Sequence, residues 1–121
     1  MMKIPELNEG ERYAGIVIDS ATGQPTHHLI LLPGETKSIA WPDALTWAEQ
    51  AGGALPTRQE QALLYANLKQ AFEPTTWYWT SEQCAGGASS AWTQYFDDGG
   101  QYIRDKGNKG RVRAVRRFMI D

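Results

Sequence analysis

The chain has 121 residues, a net charge of −2 and one cysteine. That length suits a single domain, residues 1–121, with enough chain to bury a core without metal or disulfide. The lone Cys84 excludes an intramolecular disulfide, a paired-cysteine metal site and a redox dithiol. No apolar run is long enough to span a bilayer. Lys3, Glu6, Glu9 and Glu11 are polar where a secretion signal would be apolar, so a cytoplasmic protein with no membrane partner is expected.

Charge is unevenly spread. Residues 1–100 carry 5 basic and 12 acidic groups, whereas residues 101–121 carry 7 basic and 2 acidic ones. A basic segment of this kind can meet phosphate. The alternative is that these arginines, alternating along a predicted strand, neutralise the acidic body of the same domain, and that reading is preferred.

Taken in order, residues 12–18 and 27–32 read as strands. Asp19, Gly23 and Pro25 supply the turn chemistry of a hairpin between them. The adjacent His27 and His28 face opposite sides of a strand, which argues against a shared metal; both are expected to be edge or surface histidines. Residues 42–51 form the first predicted helix. Pro42 opens it, Ala44, Leu45, Trp47, Ala48 and Ala51 make its apolar stripe, and Gly52-Gly53 ends it.

Pro56-Thr57-Arg58-Gln59-Glu60 divides the chain. Thr57 and Glu60 have the spacing of a capping box, so a second helix is predicted from about Arg58 to Gln70, stopped by Pro74. Arg58 is free to face solvent or to hold a neighbouring loop. Trp77–Ser81 alternates as a strand, with Trp77 and Trp79 on one face and Tyr78 on the other. Residues 84–90, small and glycine-containing, are predicted as a loop, and residues 91–96 as the next strand. Asp97-Asp98-Gly99-Gly100 is a hairpin turn, residues 101–103 return from it, and 105–110 is a polar loop. Residues 111–118 read as one last strand, with an alternation slip at Ala114–Val115 that suggests a bulge.

Catalytic motifs are scarce. The chain has no phosphate-binding glycine loop and no His-Glu-x-x-His. Ser81 and Ser89 lack a histidine in a familiar context. Turn geometry accounts for Asp97–Asp98, and no base presents itself for Cys84. The expectation is a non-enzymatic protein without cofactor or metal.

Gly-Gly-x-Leu-Pro-Thr-Arg-x-Glu between two helices, Tyr78-Trp79-Thr80-Ser81, Ala91-Trp92-x-x-x-Phe96-x-x-Gly99 and Arg113-Ala114-Val115-Arg116 occur in an order that resembles the C-type-lectin-like domains of the DUF1566 type. These are common in bacteria and prophages, and similar in fold to phage receptor-binding variable domains and formylglycine-generating enzymes. The likeness covers about Trp41 to Phe118. It implies an α+β, C-type-lectin-like fold: two helices packed on small twisted antiparallel sheets, with paired N- and C-terminal strands and with Trp79, Trp92 and Phe96 in the core. Formylglycine generation needs a late cysteine pair, and calcium lectins need a Glu-Pro-Asn or Gln-Pro-Asp loop; this chain has neither.

In the receptor-binding relatives the last hairpin and its following loop recognise a partner. The matching residues are Tyr95, Tyr102, Arg104, Lys106, Asn108, Lys109 and Arg111. The resemblance therefore implies a recognition module, prophage-encoded, binding a protein of host or phage through the 95–111 surface and so able to block a host complex. Two alternatives stand beside it: a receptor- or glycan-binding domain on a virion surface, and a nucleic-acid-binding accessory protein that uses the basic C-terminal segment.

Overall fold

A computed structural model describes residues 3–120. The N-terminal hairpin forms as predicted. Strand β1 (Arg12–Ile18) pairs antiparallel with β2 (Pro25–Leu31). The short β3 (Thr36–Ile39) follows, then helices α1 (Trp41–Gln50) and α2 (Arg58–Leu68), the latter running into a 3-10 turn at Lys69–Ala71. The second half is β4 (Trp77–Cys84), β5 (Gly87–Tyr95), β6 (Gln101–Asp105), β7 (Gly110–Val112) and β8 (Val115–Met119). These strands make two sheets, ordered β1-β2-β8 and β3-β7-β4-β5-β6.

Both helix boundaries have local causes. Pro42 sits in the first turn of α1, and Ala40 caps it without a side-chain bond. Its end is a Schellman arrangement: Gly53 N–H donates to the Ala48 carbonyl at 3.1 Å and Gly52 N–H to that of Glu49 at 3.0 Å, with Gly52 at φ +95°. In α2 the capping box is complete. Glu60 N–H donates to Thr57 Oγ1 at 3.1 Å, and Thr57 N–H donates to Glu60 Oε1 at 2.8 Å. Glu82 accepts the Arg58 N–H at 2.7 Å, satisfying another first-turn donor.

Strand β4 serves two cores because its side chains alternate. Tyr78 enters a core with Leu29, Leu31, Leu64, Phe72 and Phe96, between α2 and the three-stranded sheet. Trp79 enters a second core with Trp41, Ala44, Ala48, Leu55 and Val112, beneath α1. The buried indoles keep their N–H groups bonded. Trp41 Nε1 donates to the Thr80 carbonyl and Trp79 Nε1 to that of Ile39, each at 2.9 Å. Gly53 joins helix to sheet. A Cβ there would lie 2.1 Å from the Val115 carbonyl oxygen, where the next residue, Ala54, bridges β8.

The coarse α+β class with two helices and two sheets holds, and several finer expectations are corrected. The C-terminal strand pairs with β2 and leaves β1 on the outside, because β8 runs antiparallel beside His27–Leu31. The larger sheet is mixed, with β7 parallel to β4. Residues 84–90 are not a loop: β4 continues to Cys84 and β5 begins at Gly87, leaving only Ala85–Gly86 as the turn. Their small side chains fit a tight hairpin end equally well. Residues 111–118 are two strands, and the slip at Ala114–Val115 marks where the chain passes from one sheet to the other. The histidines are neither at an edge nor on the surface, since β2 is the central strand of its sheet. His28 is buried against Tyr13, and His27 bonds Glu60. Trp92 is half-buried rather than core, and its ring lies under the Arg58 guanidinium.

Candidate recognition surface

Cross-strand parity gathers aromatic side chains on one face of the large sheet. Trp77 on β4 faces Tyr95 on β5, and Tyr102 on β6 lies diagonal to Tyr95. The rings form a ladder. Trp79 and Trp77 meet edge to face at 5.0 Å between centroids, Trp77 and Tyr95 stack at 6.3 Å, and Tyr95 and Tyr102 meet edge to face at 4.9 Å. Trp79 is rooted in the core, Trp77 and Tyr95 are half-buried, and Tyr102 is 47 % exposed. The ladder thus climbs from core to solvent.

Arg104, two residues along β6 from Tyr102, folds back over it. Its guanidinium carbon is 5.0 Å from the Trp77 ring centroid and 5.6 Å from that of Tyr95, and its Nη2 donates to the Tyr95 hydroxyl. Tyr102 donates to Asp98 Oδ2 at 3.0 Å, and that bond holds its phenol above the usual range. The same carboxylate accepts the Gly100 N–H at 2.7 Å and is held below its usual range by that bond and by the tyrosine. Two glycines make room. A Cβ at Gly110 would lie 2.1 Å from the Trp77 ring, and one at Gly100 2.5 Å from the Tyr102 hydroxyl. Trp77 and Tyr102 therefore sit directly against bare backbone.

The opposite face holds the hairpin rigid. Gln101 Nε2 donates to the Arg58 carbonyl at 2.7 Å and to Gln94 Oε1 at 2.9 Å, while Gln94 Nε2 donates to the Gly99 carbonyl at 3.0 Å. Arg58 Nε returns a bond to Gln101 Oε1 at 3.0 Å while its guanidinium lies 3.6 Å over the Trp92 ring. Arg58 thus neither faces solvent alone nor holds a loop, the two predicted options, but lies on strands β5 and β6 at Trp92 and Gln101.

The predicted surface residues divide. Tyr95, Tyr102 and Arg104 come together, and Trp77 joins them. Lys106 instead lies 4.7 Å over the Trp41 ring and donates to Gln83 Oε1 and the Ala88 carbonyl. Asn108 and Lys109 are exposed on the turn before β7. Arg111 leaves the group. It pairs with Glu35 at 2.7 Å, and that carboxylate also accepts the Tyr78 hydroxyl at 3.0 Å.

The basic segment is largely consumed internally. Arg116 pairs with Glu11 at 2.8 Å and Arg117 with Glu60 at 2.7 Å. Arg113 donates to the carbonyls of Ala71 at 2.6 Å and Leu32 at 2.9 Å, and burial lowers its pKa from the ordinary arginine value. The neutralising role preferred from the sequence is the one these ion pairs perform.

Among the described residues, no three His, Cys, Asp or Glu side chains gather as a metal site. Cys84 is half-buried at the end of a hairpin. A cleft of about 530 Å³ opens over the stacked rings of Phe72 and Phe96, with Lys69, Gln70, Pro74 and Asp97 around it. No family model matches this chain, and no curated protein matches it.

Trp77 and the two glycines escaped the sequence reading of the surface. The strand alternation that put Trp77 opposite Tyr78 was visible. Its pairing with Tyr95 depends on the register of β4 with β5, which shifts twice between the tight turn at Ala85–Gly86 and Trp79, where no local signal marks the irregularities.

Proposed function

We propose that this chain is a non-enzymatic recognition module that binds a protein partner through the face formed by Trp77, Tyr95, Tyr102 and Arg104. One observation carries the reading: an ordered ladder of rings rises from the core to an exposed tyrosine, with an arginine laid across it. Aromatic rings and arginine are the groups that dominate protein interfaces. Held on a paired sheet and by the Gln94–Gln101–Arg58 network, they lose little entropy on binding. The likeness to C-type-lectin-like prophage domains, in which the last hairpin recognises a partner, supports the same face.

Capture from bacterial lysate with the parent chain and with Tyr102→Ala/Arg104→Ala, followed by mass spectrometry and an affinity measurement, tests this. The double variant should keep its fold and bind the captured protein more than about tenfold more weakly. Equal binding by both chains would move the interface off this face.

A further inference from the structure

The four outer strands of the two sheets are not equally protected. Strand β1 is covered by α2: Asn67 Nδ2 donates to the Ala14 carbonyl at 2.6 Å and Gln59 Nε2 to the Ile18 carbonyl at 2.7 Å. Strand β8 is closed at its start by Ala54, which exchanges two backbone bonds of 2.9 Å with Val115, and Arg117 reaches from it to the Leu55 carbonyl. Strand β3 is four residues long, irregularly paired and carries Lys37.

Strand β6 is also short and carries Arg104 and Asp105, but nothing covers its outward backbone as α2 covers β1 or Ala54 closes β8. Tyr95 N–H donates to the Gly100 carbonyl and Lys106 N–H to that of Ser89, each at 2.9 Å, so the even residues 100 to 106 bond to β5. Gln101, Ile103 and Asp105 turn their backbone groups outward. Among the described residues, no backbone or side-chain partner meets Gln101 or Ile103 there, and no element but β5 makes more than marginal contact with β6. Ile103, at the centre of this edge, is 49 % exposed.

We propose that β6 pairs antiparallel with β6 of a second copy of this chain, about a two-fold axis at Ile103. The five residues are self-complementary in that register. Ile103 meets its own copy, Gln101 meets Asp105, and Tyr102 meets Arg104. The outward-facing residues 103 and 103, and 101 and 105, are then the hydrogen-bonded pairs, which suits the parity of the edge, with the Asp105 carbonyl, which already accepts the Asn108 N–H at 3.0 Å, accepting a second bond. Ile103 gains an apolar partner on one face. On the other, each Arg104 gains the ring of Tyr102, the same contact it already makes with Trp77 and Tyr95. No like charges fall directly opposite. The resulting ten-stranded sheet would join two aromatic ladders on one side. A five-residue pairing is small for an interface, so the dimer should be weak and concentration-dependent.

Sedimentation velocity from micromolar to millimolar protein is the test, with circular dichroism to confirm the fold of each variant. The parent should shift from monomer to dimer across the series. Ile103→Lys and Ile103→Glu each put like charges on the axis and should each weaken self-association at least about tenfold. Mixed in equal amounts, they should associate again, because residue 103 faces only residue 103. A parent that stays monomeric at the highest concentration overturns the proposal. So does a dimer that survives in both single variants, or a mixture that stays monomeric. Ile103 lies on the other face of β6 from Tyr102 and Arg104, so the Ile103 variants keep both recognition side chains; partner affinity measured with Ile103→Lys, at concentrations where the parent is monomeric, separates a failed dimer from a failed recognition face.

Discussion

Arg117 grips Glu60 with two parallel bonds, Nε to Oε2 and Nη2 to Oε1, each 2.7 Å long. The Glu60 side chain is 1 % exposed. The same carboxylate closes the α2 capping box and accepts a 2.7 Å bond from His27 Nε2. His27 also bonds through Nδ1 to Thr26 Oγ1 at 3.0 Å, and that hydroxyl donates to the Val17 carbonyl. One side chain therefore ties a helix start to β2 and β8, and through them to β1. Removing its charge leaves the half-buried Arg117 with the Leu55 carbonyl and one neutral amide oxygen in place of the carboxylate. Glu60→Gln should cost about 3 kcal/mol of unfolding free energy, against about 1 kcal/mol for Thr57→Ala, which loses only the cap. Urea denaturation of the two variants checks the ranking; equal costs would mean that the cap, not the ion pair, carries the site.

Acid should weaken the fold in a defined window. The hydrogen bonds from Arg116 hold the Glu11 carboxyl down at about 2, from an ordinary value of 4.5, against the upward push of burial. For Glu60 burial pushes upward most strongly. The bonds from Arg117, Thr57 N–H and His27 together outweigh it, and the carboxyl lies below its usual range. A carboxyl depressed in the folded state stabilises fully above its unfolded value and loses that contribution as pH falls through the folded one. Stability should therefore decline as pH drops from about 4.5 towards about 2. Denaturation midpoints measured across this range in the parent should fall, and Glu11→Gln should flatten the slope.

Gly110→Ala tests the seat of the ladder. The added methyl group would meet the Trp77 ring at 2.1 Å, so ring or strand must move. Overpacking of this kind costs roughly 1–3 kcal/mol. Because Trp77 is half-buried, much of the response should be rotation of the ring, seen as a change in near-ultraviolet circular dichroism. An unchanged spectrum and midpoint would show that Trp77 does not lie on Gly110.

Arg58→Ala should loosen the other side of the same hairpin. The variant loses the guanidinium over Trp92 and the bond to Gln101, together worth about 1–2 kcal/mol. Amide hydrogen exchange at residues 97–101 should accelerate more than exchange in β2. Uniform acceleration would mean that Arg58 acts only through global stability.

Local signals were legible in the sequence. The capping box at Thr57 and Glu60, the helix stop at Gly52–Gly53, the first hairpin and the Asp97–Gly100 turn each depend on a few neighbouring residues, and each forms. Long-range placement was not. Glu60 reads locally as a cap, and nothing near it in sequence announces Arg117 or His27. His28 looks like a surface histidine until β8 arrives to make β2 a central strand. Arg113 and Ala114 look like strand interior, yet the chain changes sheets there. On the candidate face, Tyr102 and Arg104 share a side by simple alternation. Arg111 leaves the group because Glu35, far away in sequence, takes it.

The most direct test of the recognition account is the affinity of Tyr102→Ala/Arg104→Ala for the captured protein, measured with Ile103→Lys beside it as a control from the other face of β6. The account predicts a drop of more than tenfold in the double variant, a loss above about 1.4 kcal/mol, with the thermal midpoint little changed. It also predicts only modest weakening as salt rises, since few phosphate-like contacts are involved. Undiminished affinity in a folded double variant, or binding that collapses with salt and is competed by any duplex, would contradict it.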